Sequence, residues 1–311
     1  MNQNKNAIFK AKVIPYLYLF PTALVLIIFI YYPAIKTFIL AFYRSNFILG
    51  TRKFIGLENF KNLFSGVLAP GFIQTCIQTI VFSFLVVILG LSISMFLAVL
   101  TNEKIKGAKY YRLLLIWPFA LSPAVAGTVF SFIFNPEVGV INIFLSSVFN
   151  VKPGWLTNPY LAFFVAVFAA VWKNLGYNIV FYIAAFQNIS KDPLEAAEID
   201  GASRFSKFIH ILFPLLSPTT FFLLFTNITY SLFDSFAIVD VLTKGGPMGP
   251  SPYMDNLGLT TTLMYKIFLD GFGGSSNMGF AASETFVLMI IVMFITMFQF
   301  GFLGKKVNYD V

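Results

Sequence analysis

Asp192-Pro193-Leu194-Glu195-Ala196-Ala197-Glu198-Ile199-Asp200-Gly201-Ala202-Ser203 stands between two long apolar runs. Its local chemistry predicts a short helix, a sharp turn and a second helix. Asp192 suits the N-cap, Pro193 the first helical position, and Glu195 falls where a capping-box carboxylate reaches back. Ala196 and Ala197 favour helix and leave a smooth surface that another molecule can approach closely. Gly201 supplies the left-handed stop. A second helix then begins and runs into the following apolar segment. A polar, capped turn between apolar runs is the connector of two membrane helices.

Composition extends this reading to the whole chain. Of 311 residues, 58% are hydrophobic and only 11% charged, against about 25% charged in soluble domains. Forty Phe residues and a mean hydropathy of +0.81 point the same way. The expected fold class is an all-α integral membrane protein forming one transmembrane domain over residues 1–311. The net charge is +8. The basic residues sit between apolar runs and form no aromatic-interleaved patch, which argues against nucleic acid and for a role in orienting the chain in a lipid bilayer. Cys76 is the one cysteine, so no intrachain disulfide and no cysteine-cluster metal site can form.

About 20 apolar residues cross the hydrocarbon layer as a helix. Six runs qualify: 14–35, 72–100, 113–134, 161–186, 209–236 and 280–303. The first follows Lys5, Lys10 and Lys12. It is long for a signal-peptide core, and Pro33-Ala34-Ile35-Lys36 is a poor cleavage site, so it is expected as an uncleaved span. Pro118 and Pro123 in the third run, and Pro214 and Pro218 in the fifth, are read as prolines tolerated inside spanning helices.

Orientation follows from Lys and Arg. One set of connections carries Lys5, Lys10, Lys12, Lys104, Lys106, Lys109, Arg112, Lys191, Arg204, Lys207, Lys305 and Lys306. The other carries Arg44, Arg52, Lys53, Lys61, Lys152, Lys244 and Lys266. The richer side is expected to be cytoplasmic, with both termini inside. The connections 135–160 and 239–279 are rich in Gly and Pro and are expected as ordered external loops.

The turn at 188–208 also carries a resemblance. Glu195-Ala196-Ala197, then Gly201, Ile211 and Pro214, resembles the EAA loop of the permeases of binding-protein-dependent ABC importers, with Phe213 where that family usually has Leu. Further segments resemble the carbohydrate branch of this family, and within it the permeases for sn-glycerol-3-phosphate: 54–60, Val171-Trp172-Lys173, Tyr177-Asn178, Phe233 to Phe236, Gly245-Gly246-Pro247, 260–263, Tyr265-Lys266-Ile267 and Lys306 to Tyr309. The 12 residues from Met248 to Leu259 exceed the family's usual connection there.

The resemblance implies a MetI-like fold and a role as one permease subunit. Glu195, Ala196, Ala197, Asp200 and Gly201 would couple it to the ATPase. The implied partners are a second related permease, a homodimeric cytoplasmic ATP-binding subunit, and a periplasmic or lipid-anchored substrate-binding protein. The implied location is a bacterial inner membrane. Glycerol-3-phosphate or a glycerophosphodiester is the implied substrate, with a neutral sugar or oligosaccharide as alternative.

The residues themselves limit the chemistry. No G-x-x-x-x-G-K-[ST] phosphate loop is present, so ATP hydrolysis by that route is not expected of this chain and no cofactor is expected here; the resemblance implies that ATP and Mg are used by the partner subunit. His210 is the one histidine, and no metal-binding spacing exists. A polar path is suggested by Lys173 with Tyr177 and by Asn174 with Asn178, each pair at i, i+4. Asn227, Tyr230 and Asp234 form a second stripe. Polar groups inside a membrane serve either a pathway or interhelical bonding, and a Lys173–Asp234 pair would be the structural alternative. A self-contained secondary transporter or channel is the competing class. The spans are read as lacking the acidic relay residues and inverted repeats of such proteins.

Overall fold

The computed structural model describes residues 14–46, 48–102, 107–190, 192–248, 257–273 and 276–303. Of the orienting charges, Lys5, Lys10, Lys12, Lys104, Lys106, Lys191, Lys305 and Lys306 lie outside these residues. So do 249–256 of the long external connection and the Lys306-to-Tyr309 ending.

Helix α1 covers Ile14–Leu40, with a π-turn at Ile27–Tyr31. A hairpin follows, β1 Tyr43–Asn46 against β2 Thr51–Phe54, an exception to the all-α expectation. Helix α2 is Glu58–Ser65 and α3 is Ala69–Thr101. The third run is not one straight helix. Tyr110–Ala120, here α4, is bent by 105° from α5, Pro123–Ile133. Leu121 and Ser122 are extended, with ψ of 147° and 151°. The cause lies in Pro123, which disfavours helical backbone at the residue before it, while Ser122 caps the new helix at the Val125 amide.

Helix α6, Val140–Phe149, lies in the connection that precedes α7, Pro159–Asn188. Asn158 Oδ1 caps α7 by accepting from the amides of Tyr160 and Leu161, with Pro159 in the first turn. After α8, Asp192–Ile199, the fifth run is again broken: α9, Arg204–Leu215, meets α10, Ser217–Asp234, at 68°. Pro214 and Pro218 flank this bend, and Pro218 has no amide hydrogen to continue the ladder. Helix α11 is Phe236–Leu242, α12 is Leu263–Phe272 and α13 is Met278–Gly301. Among the described residues, four helices are therefore long and apolar enough to cross a membrane unaided, and up to six spans result if each bent pair makes one.

The two connections expected to be external are not loops throughout. Gly139 and Gly273, read as loop residues, mark helix ends, at the N-cap of α6 and the C-cap of α12. Helix α12 is seated against the spans: the Leu263 amide donates to Thr79 Oγ1 of α3 at 2.7 Å.

Helix α7 forms the centre of the bundle. Lipid is as apolar as a side chain, so helices associate in it by close packing rather than by hydrophobic expulsion. Ala162, Ala166, Ala169 and Ala170 of α7 are fully buried and let neighbouring helices approach. A close backbone approach lies at Gly176, where a Cβ would stand 2.5 Å from the carbonyl oxygen of Ile116 in α4. The hairpin and α2 close the other end. Asn59 Nδ2 donates to the carbonyls of Ala41 and Tyr43, and Tyr43 in turn abuts Gly279 of α13.

Candidate functional site

The turn between α8 and α9 has the geometry that its sequence prescribes at one end and departs from it at the other. At its C-terminal end, the Gly201 amide donates to Glu198 O and the Ala202 amide to Ala197 O, with Gly201 at φ 75°. This is a Schellman ending, and glycine meets the left-handed backbone without a Cβ penalty. At its N-terminal end the helix begins at Asp192 itself, whose amide donates to Ser190 Oγ at 3.3 Å. Asp192 and Pro193 thus sit one place further in than expected, and Glu195 makes no reach-back bond to Asp192 among the described residues. Its carboxylate is exposed instead. Ala196 and Asp200 are exposed as well, while Ala197 is half-buried.

Two residues to which the sequence assigns no part in the turn's geometry fix it. Lys207 Nζ donates to Glu198 at 2.7 Å and ties α9 to α8. The hydrogen bond and charge of Lys207 hold the Glu198 carboxyl below its usual range. Ser203 caps α9 at the Ser206 amide. The result is a helix–turn–helix of set angle whose surface offers alanines, the Glu195 carboxylate, and exposed Ile199 and Phe205.

The polar stripes separate into two groups. Asn178 and Asn227 are buried, as is Asn174. Asn227 Oδ1 accepts from Asn174 Nδ2 at 2.9 Å and Asn178 Nδ2 at 3.0 Å, while Asn227 Nδ2 donates to Asn178 Oδ1 at 2.7 Å. Gly90 of α3 passes alongside: a Cβ there would lie 3.6 Å from Asn227 Oδ1. This knot joins α7 to α10 and pairs both amide atoms of Asn178 and of Asn227.

The second group surrounds the break between α4 and α5. Lys173 is buried, and its ammonium lies 4.8 Å from the ring centre of Phe119 and 5.5 Å from that of Tyr230. Tyr177 packs on the same Phe119 ring at 5.3 Å. Tyr230 donates its hydroxyl to Ala170 O at 3.3 Å. Asp234 is exposed and, among the described residues, forms no ion pair with Lys173 within 4.0 Å. Phe119 joins the group only because the third run breaks where it does.

A third polar feature lies where the sequence was read as free of acidic groups. Glu284 sits inside the sixth run, fully buried, 3.2 Å from Lys266 Nζ. Lys266 also bonds Asp270 at 2.5 Å. Lys266 had been counted among the external orienting charges, but it is 7% exposed. The overlooked signal was a carboxylate within an apolar run, which is costly unless paired.

Comparisons place this architecture. The family described as "Binding-protein-dependent transport system inner membrane component" matches residues 90–309. The sn-glycerol-3-phosphate transport system permease protein UgpA of Pectobacterium atrosepticum is 36% identical over 303 residues, covering 97% of this chain and 98% of that protein. The protein of the same name from Rhizobium meliloti is 37% identical over 306 residues, covering 98% and 99%. Among solved structures, a bacterial ABC transporter involved in the import of the acidic polysaccharide alginate superposes with a TM-score of 0.79 at 23% identity, over 95% of this chain and 96% of that one. The chain therefore belongs to the family of binding-protein-dependent transport system inner membrane components, and it is an ABC importer permease with a MetI-like membrane fold.

Proposed function

We propose that the chain is one of two related permease subunits of an importer for sn-glycerol-3-phosphate or related glycerophosphodiesters. The observation that carries the substrate is the near full-length similarity to permeases named for that compound. In this reading a homodimeric cytoplasmic ATP-binding subunit uses ATP and Mg, and a periplasmic or lipid-anchored binding protein delivers the substrate. The location is a bacterial inner membrane with both termini in the cytoplasm.

The α8–α9 turn docks on the ATP-binding subunit through Glu195, Ala196, Ala197, Asp200 and Gly201. Its exposure, its small side chains and its fixed angle support that role. In the reconstituted importer, Gly201→Leu and Glu195→Lys are expected to abolish uptake and to lower co-purification of the ATP-binding subunit, with the permease still in the membrane. Open space surrounds Gly201, so the leucine strains the backbone by about 1 kcal/mol and also obstructs docking. Normal uptake and co-purification in both variants would remove the turn from the coupling path.

Lys173, Tyr177 and Tyr230, grouped at the helix break, are assigned to the substrate path. Asn178 and Asn227 contribute by fixing the helices that bear it, and Asp234 by its charge at the end of α10. A lysine held over aromatic rings offers charge-assisted hydrogen bonds to a phosphate. Lys173→Met is expected to slow uptake of radiolabelled glycerol-3-phosphate while assembly stays normal. Asp234→Asn should assemble normally too, because no short ion pair is broken. If each single neutralisation reduced assembly and the double variant restored it, Lys173 would be a structural partner of Asp234 instead.

A further inference from the structure

Helix α6 exposes most of its large apolar residues and buries its one amide. Its polar residue Asn142 is 1% exposed and fully engaged: Nδ2 donates to Pro136 O and Pro153 O, and Oδ1 accepts from Trp155 Nε1. Ile141 packs inward against the core, and five other large apolar residues point the other way. Val140, Ile143, Phe144, Val148 and Phe149 are between 56% and 67% exposed. A helix facing water buries its apolar stripe, so an outward face of five large apolar residues, with only the small Ser147 among them, indicates apolar surroundings.

We propose that the outward face of α6 lies in the lipid headgroup–acyl interface, on the side of the bilayer opposite the coupling turn. Position carries the choice of side. Helix α6 precedes the start of α7, the turn follows its end, and the 30 residues of α7 span about 45 Å, the full thickness of a bilayer with its headgroups. Continuity carries the choice of lipid as occupant. Phe132 on α5, half of the broken third run, and Phe164 and Phe168 on the spanning α7 are exposed, so the apolar surface of α6 continues an exposed apolar surface at membrane depth. The flanks fit an interfacial level. No charged residue occurs between Glu137 and Lys152. Lys152 stands three residues past the helix and is exposed, where it meets lipid phosphates, and exposed Tyr160 opens α7 at the depth favoured by aromatic residues. The Asn142 clamp fixes the roll of α6 about its axis, so the apolar face is presented as a built surface.

The test uses the complete importer in vesicles of phosphatidylcholine and phosphatidylglycerol. Nitroxide labels are placed, in a Cys76→Ser background, at Phe144→Cys, Val148→Cys and, as a control, Glu137→Cys. At 144 and 148, collision with oxygen should exceed collision with a water-soluble nickel chelate, and at 137 the order should reverse. Dominant nickel collision at 144 and 148 would place the face in water. Low collision with both probes would place it against a protein partner. Either result overturns the proposal. Ile143→Cys and Ser147→Cys report on the same face if one of the first pair does not assemble.

Discussion

Lys266→Met is expected to lower the stability of the detergent-solubilised permease by about 3–5 kcal/mol, the cost of leaving a buried partner charge uncompensated. Glu284 is fully buried on α13, and Lys266 of α12 stands 3.2 Å from it. Asp270, the other partner of Lys266, has a side chain 23% exposed and stays hydrated when the lysine is lost. Glu284 has no such escape. The double variant Lys266→Met with Glu284→Gln should recover most of the loss, because it removes both charges together. Denaturation of the parent, the single and the double variants, read by loss of helix signal, makes the comparison. A single variant as stable as the parent would mean that α12 is held by its other contacts, the Leu263–Thr79 bond among them.

Asn227→Leu should rank next. Leucine fills a similar volume but takes away the acceptor shared by Asn174 and Asn178 and the donor to Asn178 Oδ1. Two buried amides are stranded at about 1–3 kcal/mol each. Asn174→Ala removes one bond and leaves the Asn178–Asn227 pair intact, so it should cost clearly less. The same denaturation assay ranks the two. Equal losses would show that the knot contributes no more than one isolated hydrogen bond.

The residues that announced themselves in the sequence did so through local rules. The Schellman ending at Gly201 follows from a glycine after an alanine-rich helix, and the spans follow from apolar runs of the length a bilayer requires. The departures all depend on what the chain meets elsewhere. Glu195 was assigned a capping bond by its offset from Asp192, yet the helix begins one residue earlier and its carboxylate turns outward. Prolines acceptable within a straight span instead break two of them, since Pro123 governs the backbone of Ser122 and no local rule says whether neighbours will restore the ladder. Lys266 looked like a solvated external charge because its fully buried partner, Glu284, lies 18 residues further on, beyond any helical period. The split of the polar stripes is of the same kind. Lys173 and Asn174 are adjacent in sequence, but one faces an aromatic-lined break and the other a sealed amide knot.

The contact at Gly176 bears on how motion passes through the bundle. A side chain between two helices acts as padding: it changes rotamer and absorbs small displacements. At Gly176 there is no padding, since a single added carbon would stand 2.5 Å from a backbone oxygen and 2.9 Å from the Cα of Ile116. Packed interiors compress little, so two backbones in direct contact move with almost no slack between them. The bend that follows α4 is thus geared to the central helix, and a shift of either is felt by the other within a fraction of an ångström.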